Sequence, residues 1–334
     1  MTEKKRVLML GVSGQVGIEC LQGFMNRQID MILPNREQLD LTKTEDISTA
    51  IIACKPHLVI NVAAYTAVDK AESERKLADR INHHAAAAMA RACNALSIPL
   101  FHLSTDYVFD GEKTCAYQET DYSNPINVYG RTKLDGDRAI QCLLRKHIIL
   151  RTSWVFGANG NNFVKTMLRL GANNKTLRIV SDQKGCPTPA ANIAAVIIYL
   201  AEQYFAHGTL RWGLYHYSGK GACSWYQFGK AIFAEAARIG VVPAPPALVP
   251  ISSNQYPVAA RRPLNSVLDC SKIESVYPKI HTVSWCDELR AMLSSRLMLP
   301  GSSLSEHVAE SSCRLLSQPQ ALRLPQYETP TSGL

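Results

Sequence analysis

The chain has 334 residues, of which 46% are hydrophobic and 19% are charged. This composition excludes collagen, coiled coil and wholesale disorder, and the length allows two domains or one large domain with an appended lobe. The 36 basic and 28 acidic residues give a net charge of +8. Apart from Lys4, Lys5 and Arg6 the basic residues are scattered, which favours a small anionic ligand over a nucleic acid.

No apolar run reaches the roughly 18 to 20 residues that a membrane-spanning helix needs. Near the N-terminus, Gly11 and Gly14 end the apolar stretch before it is long enough for a secretory signal. The ten cysteines include no C-x-x-C pair, which predicts reduced thiols and no zinc site. We therefore expect a cytoplasmic protein without a membrane segment.

Short apolar segments alternate with helix-like segments through the first half of the chain. The predicted strands are residues 7–10, 31–33, 58–62, 100–104 and 148–152. The predicted helices between them are residues 16–26, 44–54, 72–96 and 128–145. This βαβ alternation predicts an α/β fold of the Rossmann type, with a doubly wound parallel sheet.

The pattern loosens after about residue 155, where Pro, Gly and Asn become frequent. We predict a Rossmann domain over residues 1–155, which segments near 177–215 rejoin. A smaller C-terminal substrate-binding lobe is predicted mainly over 156–296. Residues 297–334 lack sustained apolar periodicity and are expected to form a weakly ordered tail.

Three glycines follow the first predicted strand and open the first predicted helix. The backbone N–H groups of a helix N-terminus bind a pyrophosphate, and glycine permits the tight turn and the close approach that this requires. The motif in this position predicts a dinucleotide site, and its G-x-x-G-x-x-G spacing favours the short-chain dehydrogenase superfamily. The residues of this loop are Gly11, Gly14, Gln15, Val16 and Gly17.

The second predicted strand ends without the acidic residue that normally binds the adenosine ribose. Asn35 and Arg36 stand there instead, and an arginine favours the 2′-phosphate of NADPH, although NADH is left open. The alternative for Arg36 is a solvated surface charge. Further coenzyme contacts, each of which could also be purely structural, are predicted at Asp40, Leu41, Ala63, Ala64 and Tyr65.

Tyr129 and Lys133 are four residues apart on a predicted helix and so share one face. Thr105 ends the fourth predicted strand, at the edge where open α/β sheets bind ligands. A phenol with a pKa of about 10 transfers protons poorly near neutral pH unless a cation lowers that pKa. We therefore predict that Tyr129 donates a proton, while Lys133 lowers its pKa and holds a coenzyme ribose.

Several blocks of sequence carry a resemblance to a known family. They are residues 11–17, 61–72, 104–111, 129–136, 151–157, 182–188 and 262–269. From about Arg6 to about Leu293 the chain resembles the extended short-chain dehydrogenase/reductases, and within them the dTDP-4-dehydrorhamnose reductase family. The first and fourth blocks mark only the superfamily, whereas the others point to this branch.

The resemblance implies reduction of the 4-keto group of dTDP-4-dehydro-β-L-rhamnose to dTDP-L-rhamnose by NADPH or NADH. It implies that Thr105 hydrogen-bonds the ketone, that Tyr129 donates the proton and that Lys133 positions the ribose. Core packing is the alternative for Trp154, and a surface salt bridge is the alternative for Arg262. The implied substrate contacts are Val68, Asp69, Thr105, Asp106, Trp154, Asn162, Phe163, Gln183 and Arg262.

Related dehydratases have a glutamate after the strand-end aspartate, because elimination needs a further general acid. Here Tyr107 follows Asp106, which favours reduction alone. Some reductases of the family hold a divalent cation between two subunits through glutamates. Glu19 matches one of these positions, but Ala190 and its neighbours stand where another is expected. We therefore predict no metal, and a homodimer is left open.

Two other functions are left open. One is a catalytically silent NADP-binding subunit, since the regulatory beta subunit of methionine adenosyltransferase resembles the same family. Trp154, Gln183 and Thr188 argue against it, because a scaffold has no reason to keep a sugar site. The other is a reductase of a different dTDP-4-keto-6-deoxyhexose, which presents the same ketone and diphosphate.

Overall fold

The computed structural model describes residues 4–25 and 27–297. Its strands are β1 (Lys5–Leu10), β2 (Ile29–Ile32), β3 (Leu58–Asn61), β4 (Leu100–Thr105), β5 (His147–Thr152), β6 (Val155–Phe156), β7 (Thr176–Val180), β8 (Lys184–Gly185), β9 (Thr188–Pro189), β10 (Gly213–His216), β11 (Cys223–Ser224) and β12 (Ala247–Ile251). Its α-helices are α1 (Gln15–Phe24), α2 (Thr44–Cys54), α3 (Val68–Ala71), α4 (Arg75–Asp79), α5 (Ala85–Ala95), α6 (Val128–Leu143), α7 (Phe163–Asn173), α8 (Ala190–His207), α9 (Trp225–Arg238), α10 (Ser271–Val276) and α11 (Trp285–Leu297).

Six strands form one parallel sheet in the order β10-β5-β4-β3-β1-β2. The chain starts at β1, turns to β2 on one side and then builds β3, β4 and β5 on the other, with helices in the connections. The predicted α/β fold with a doubly wound parallel sheet is therefore confirmed. Strand β10 joins the edge late in the chain, where Gly213 pairs with Ile148 of β5.

Each face of the sheet builds its own hydrophobic core, because successive strand residues point to opposite faces. Val7 and Met9 of β1 pack with α1 and α8 on one face. Leu8 and Leu10 pack with α2 and α5 on the other. Strands buried on both faces are nearly continuous apolar runs, which is why the sequence alone located them.

A third core lies beyond the main sheet, between α7, α9, α11 and β7. Its members include Phe156, Val164, Ile179, Phe228 and Trp285. Strand β12 pairs with β7 in parallel, which adds a small second sheet to this region. This core falls within the range 156–296 that was predicted as a substrate lobe, and the division itself stays a prediction. The predicted tail over residues 297–334 lies outside the described residues, apart from residue 297 itself.

Within residues 4–25 and 27–297, no helix is both long enough and apolar enough to cross a membrane. The cysteines in these ranges are all free thiols, and five of them are buried. Burial raises the pKa of Cys20 to about 12, so this thiol stays protonated at neutral pH.

The helix predicted over residues 72–96 is instead two helices, α4 and α5, joined by a π-helical turn at Arg80–His84. Asn82 in this turn is buried, and its carboxamide binds both backbone groups of Tyr65. The N–H of Tyr65 donates to Oδ1 at 2.8 Å, and Nδ2 donates to the Tyr65 carbonyl at 3.2 Å. Apolar periodicity predicts which face of such a helix is buried. It does not predict the hydrogen bonds that Asn82 makes to Tyr65.

A buried ion pair fixes α6 to the centre of the sheet. Oδ2 of Asp137 accepts hydrogen bonds from Nε of Arg151 on β5 at 3.1 Å and from the hydroxyl of Ser104 on β4 at 2.9 Å. The side chains of Asp137 and Arg151 are 0% and 4% exposed. Since α6 also carries Tyr129 and Lys133, this pair sets where both of them stand against the sheet.

Replacing Asp137 by Asn should lower the free energy of unfolding by about 3 to 5 kcal/mol, because Arg151 would keep a buried charge without its partner. The control is Glu235→Gln, which breaks an ion pair with the exposed Arg238 and should cost much less. Urea unfolding followed by tryptophan fluorescence measures both. Equal losses in the two variants would contradict the importance of the buried pair.

Candidate active site

The glycine loop joins β1 to α1 at the carboxyl edge of the sheet. Gly11 has a φ of +88°, and a Cβ on it would lie 2.5 Å from the backbone nitrogen of Ala63. A Cβ on Gly17 would lie 2.1 Å from the carbonyl oxygen of Gly11. Both positions therefore require glycine.

Helix α1 begins at Gln15 and receives no hydrogen bond from a capping side chain of the described residues. Its first turn also has no acidic side chain. The unsatisfied N–H groups and the positive end of the helix dipole are therefore open to an anion. Val16 is buried beneath this turn, so the loop fits a dinucleotide pyrophosphate as predicted from its sequence.

Asn35 and Arg36 follow β2 and are exposed. A hydrogen bond from Thr42 and, to a smaller extent, the charge of Arg36 lower the pKa of Asp40. Arg36 and Asp40 are thus close enough to interact.

The other predicted coenzyme contacts lie near the core. Leu41 and Ala63 pack against the core on the α2 side of the sheet, and the hydroxyl of Tyr65 donates to Glu74 at 2.6 Å. Ala64 follows Ala63 after β3 and is partly buried.

Thr105 and Tyr129 come together at the end of β4. Asn127 caps α6 by accepting a hydrogen bond from the N–H of Gly130 at 2.7 Å, which places Tyr129 in the first turn. Burial raises the pKa of Tyr129 to about 12, and a hydrogen bond with the Thr105 hydroxyl opposes that rise. Burial therefore dominates the pKa of Tyr129, and an effect of Lys133 on this pKa stays a prediction.

Lys133 lies one turn after Tyr129 and is 1% exposed. Its Nζ donates to the carbonyl oxygen of Leu103 at 2.7 Å and lies 3.0 Å from Nε2 of His102. Burial lowers the pKa of Lys133 to about 8, although the charge of Asp137 opposes this. The three residues predicted to be catalytic therefore meet at the carboxyl end of one strand.

Asp106 is buried directly after Thr105. Its Oδ1 accepts a hydrogen bond from the Thr105 hydroxyl at 3.1 Å, while its Oδ2 is buried without a hydrogen-bond partner in the described part of the chain. Burial raises the pKa of Asp106 to about 7, although its hydrogen bond from Thr105 opposes the rise. An unpartnered buried oxygen is costly, so a polar group of a ligand would stabilise it.

A cleft of about 820 Å³ contains four of the residues that the family resemblance assigned to the substrate. The guanidinium of Arg262 donates to both carboxylate oxygens of Asp69, at 2.6 Å each. Val68 precedes Asp69 on α3. Nε2 of Gln183 donates to the Ser253 hydroxyl at 2.9 Å. The four residues are Asp69, Phe163, Gln183 and Arg262.

Two other predicted substrate residues have different contacts in the structure. The ring of Trp154 stacks on Trp225, with 3.5 Å between centroids and 6° between planes. Asn162 caps α7 by accepting from the N–H of Lys165, and its Nδ2 donates to Oε1 of Gln15 at 3.0 Å. Trp154 thus supports a cleft residue, and Asn162 joins the cleft region to the glycine loop. Their roles in binding substrate stay predictions.

Tyr107 and Trp225 also line the cleft, although neither was predicted to bind a ligand. The rings of Tyr107 and Tyr129 meet edge to face with 5.9 Å between centroids. Tyr107 follows Thr105 and Asp106 at the end of β4, and this position alone could have predicted that it lies near the site. Trp225 starts α9 far along the chain, and no motif connects it to the site.

Comparison with known proteins assigns the family. Residues 5–298 match the family described as the RmlD substrate binding domain. The chain is 41% identical over 273 residues to a dTDP-4-dehydrorhamnose reductase of Aggregatibacter actinomycetemcomitans, covering 81% of this chain and 93% of that protein. The chain belongs to the dTDP-4-dehydrorhamnose reductase family.

The same family is represented among other relatives and among solved structures. A dTDP-4-dehydrorhamnose reductase of Sinorhizobium fredii is 38% identical over 295 residues, covering 88% of this chain and 98% of that protein. The crystal structure of a dTDP-4-dehydrorhamnose reductase from Bacillus anthracis in complex with NADP superimposes with a TM-score of 0.80 at 34% identity, covering 88% of this chain and 100% of that one. The predicted family membership is thus confirmed.

Glu19, which the family resemblance placed at a possible metal-binding position, lies on α1. Its carboxylate accepts a hydrogen bond from Nδ2 of Asn159 at 3.1 Å, and burial raises its pKa. The groove beside it contains Ala191, Ala194 and Glu202 from α8. Ala190 is buried at the start of that helix, so this position offers no second carboxylate.

Asp106→Asn should change how stability depends on pH. The folded pKa near 7 exceeds the ordinary value of 3.8, so the folded state binds this proton more tightly. The resulting stabilisation is complete below about pH 4 and is lost as the pH rises through 7. The free energy of unfolding of Asp106→Asn relative to the native protein should therefore rise by about 3 kcal/mol between pH 4 and 8. Urea unfolding across this range measures it, and a constant difference would contradict the raised pKa.

Proposed function

We propose that the protein reduces the 4-keto group of dTDP-4-dehydro-β-L-rhamnose to dTDP-L-rhamnose, with NADPH as the preferred reductant and NADH as a weaker one. The observation that carries this proposal is the meeting of Thr105, Tyr129 and Lys133 at the end of β4. The names of the relatives support the reaction, and the NADP in the Bacillus anthracis structure supports the coenzyme.

The residues present fit a dinucleotide coenzyme. The glycine loop and the open N-terminus of α1 would hold its pyrophosphate, Arg36 a 2′-phosphate, and Lys133 the nicotinamide ribose. When bound, NADPH supplies the hydride that adds to the ketone carbon. A Cβ on Gly11 would strike the backbone of Ala63, so the glycine loop and the end of β3 are in close contact.

Tyr129 then has one task, which is to give a proton to the ketone oxygen as negative charge develops there. A tyrosine whose pKa is raised to about 12 is fully protonated at neutral pH, so it is ready to donate. Thr105 contacts the same hydroxyl, and its own O–H, which donates to Asp106 in this structure, would turn to donate a second hydrogen bond to the ketone oxygen. A protonated Tyr129 suits a reduction, because reduction of a ketone consumes one proton at the ketone oxygen.

The cleft residues fit a sugar nucleotide. Arg262 offers a planar cation for the diphosphate, and Asp69 holds that cation in place. Phe163 and Trp225 lie 4.6 Å apart between ring centroids and offer an aromatic face for the base. Asp106, with a pKa near 7, can donate a hydrogen bond to a sugar hydroxyl while protonated.

We also propose that residues 156–296 serve mainly as the substrate lobe of a cytoplasmic enzyme. A homodimer and the absence of a nucleic-acid partner belong to the same proposal. The third hydrophobic core supports the lobe, since it gives the cleft residues Phe163 and Trp225 a base independent of the main sheet.

Arg36→Ala should weaken NADPH binding at least about tenfold and leave NADH binding nearly unchanged, because only NADPH carries the 2′-phosphate. Lys43→Ala is the matched control, since Lys43 is also exposed and also acts on Asp40. Titration of each coenzyme followed by tryptophan fluorescence gives the dissociation constants. Equal weakening of both coenzymes would show that Arg36 is a solvated surface charge.

Tyr129→Phe should reduce kcat by at least about 100-fold, because the ring stays and only the proton donor is lost. NADPH affinity and thermal unfolding should be unchanged. Tyr122→Phe, at a residue that is 80% exposed, is the control and should keep full activity. Activity is followed through NADPH absorbance with dTDP-4-keto-6-deoxyhexoses of defined stereochemistry.

Three outcomes of that assay would overturn parts of the proposal. Tight NADPH binding without turnover of any sugar would identify a silent subunit. Faster turnover of a sugar other than dTDP-4-dehydro-β-L-rhamnose would change the substrate. Full activity of Tyr129→Phe would mean that another group donates the proton.

A further inference from the structure

One cluster of metal-ligating side chains lies away from the candidate active site. It consists of Asp79, which ends α4, and of His83 and His84 in the π-helical turn that follows. One carboxylate oxygen and one nitrogen of each imidazole lie within 4.8 Å of one another. The substrate cleft is lined by other residues. The prediction that no metal is bound considered cysteine spacing and the groove beside α1, and this cluster belongs to neither.

The π-helical turn is the reason that these three side chains meet. In an α-helix, a residue five positions further along is rotated by about 140° from the first, so His84 would face away from Asp79. Here the turn is wider, because the N–H of Ala85 donates to the carbonyl oxygen of Arg80, five residues earlier. Both imidazoles therefore lie over the same carboxylate.

The carboxylate of Asp79 contacts both rings. Its Oδ1 is 3.1 Å from Nδ1 of His83, and its Oδ2 is 3.0 Å from Nε2 of His84. The two rings stack with 4.5 Å between centroids and 25° between planes, which holds them side by side. In the described part of the chain no lysine or arginine forms an ion pair with Asp79, so no fixed cation takes the place of a metal.

Two imidazole nitrogens and a carboxylate oxygen are a donor set that suits Zn²⁺. Ligand atoms on a tetrahedral zinc ion stand roughly 3.3 Å apart, because the bonds are about 2.0 to 2.1 Å long. The contacts of Asp79 are close to this separation, and a small rotation of the exposed His84 ring completes the set. Asp79 also lines a cavity of about 530 Å³, so water can occupy the fourth position.

We propose that Asp79, His83 and His84 form a binding site for Zn²⁺. Each imidazole binds the ion as a neutral ring, with the nitrogen that now faces Asp79 as the ligand. A neutral ring moves its proton through solvent to the other ring nitrogen, and a protonated ring releases one proton to solvent. The bound ion then joins the start of the π-helical turn to its end.

The position of this turn gives the ion a structural effect. Nδ2 of Asn82, at the centre of the turn, donates to the hydroxyl of Thr132 on α6 at 3.1 Å. A Cβ on Gly136 of the same helix would lie 2.2 Å from the carbonyl oxygen of Asn82, so the turn and α6 are in close contact. An ion that bridges Asp79 and His84 therefore stabilises the turn on which α6 packs.

The ligands are identified by titrating ZnCl₂ into tag-free, full-length, histidine-labelled protein and recording ¹⁵N NMR spectra. The ring signals of His83 and His84 should shift together, with a dissociation constant below about 100 μM. His83→Ala and His84→Ala assign the two signals, and His207, which is exposed at the end of α8, should not shift. Unchanged signals, or weaker binding, would show that the cluster contains hydrogen bonds only and would overturn the proposal.

Asp79→Asn removes the charged ligand at nearly constant size and should weaken Zn²⁺ binding at least about tenfold. Asp135→Asn is the matched control and should bind like the native protein, because Asp135 lines the same cavity but is not in the cluster. Isothermal titration calorimetry measures both, with the exposed cysteines replaced by serine throughout because thiolates also bind zinc. Equal affinity of Asp79→Asn and the native protein would place the ion elsewhere and overturn the proposal. If Asp79→Asn does not fold, the NMR titration of the native protein decides.

The effect on the turn is measured by amide hydrogen exchange of Ala85, whose N–H closes the π-helical turn. At Zn²⁺ concentrations ten times the dissociation constant, exchange of this amide should slow about tenfold in the native protein and stay unchanged in His84→Ala. Unchanged exchange in the native protein would overturn the stabilising effect. None of these measurements uses coenzyme or sugar, so failure of the proposed function would leave them unaffected.

Discussion

The position of α6 against the sheet is the constraint on which the site depends. One helix carries Tyr129, which is the predicted proton donor, together with Lys133 and the aspartate that binds Arg151 and Ser104. Asp137 lies two turns after Tyr129 on the same helix. The buried ion pair of Asp137 therefore also fixes the position of the Tyr129 hydroxyl at the end of β4. A buried ion pair adds little net stability, but breaking it is costly. It therefore favours the one position of α6 on the sheet in which the pair is formed.

Several titratable side chains on or beside α6 are buried without charged partners that fully offset the cost of burial. Tyr129, Lys133 and Asp106 each have a pKa displaced toward the neutral form, and in each case burial is the largest cause. At neutral pH only Tyr129 is fully uncharged as a result, because Lys133 with a pKa of about 8 is still mainly protonated and Asp106 with a pKa of about 7 is about half ionised. Charges introduced by a phosphate or a developing alkoxide then meet polar groups in a region of low dielectric constant, where their interactions are strong.

The sequence was sufficient for the sheet and for the three residues at its carboxyl edge, because apolar runs and strand-end positions are local signals. It was insufficient for contacts between distant segments. Trp225 reaches the cleft through a stack on Trp154, and Asp69 meets Arg262 across most of the chain. The raised pKa of Tyr129 was also not foreseen, since spacing on a helix says nothing about how strongly burial acts on a side chain, and the effect of Lys133 on that pKa stays a prediction.

Asn162 gives the two parts of the site a common element. Its carboxamide accepts from the first turn of α7 and donates to Gln15, so the start of the helix that carries Phe163 is bonded to the start of the helix behind the glycine loop. The hydrogen bond from Asn162 to Gln15 is therefore a direct connection between the loop and the cleft. Wherever binding at one of two connected sites changes the affinity of the other, thermodynamic linkage makes the two changes equal.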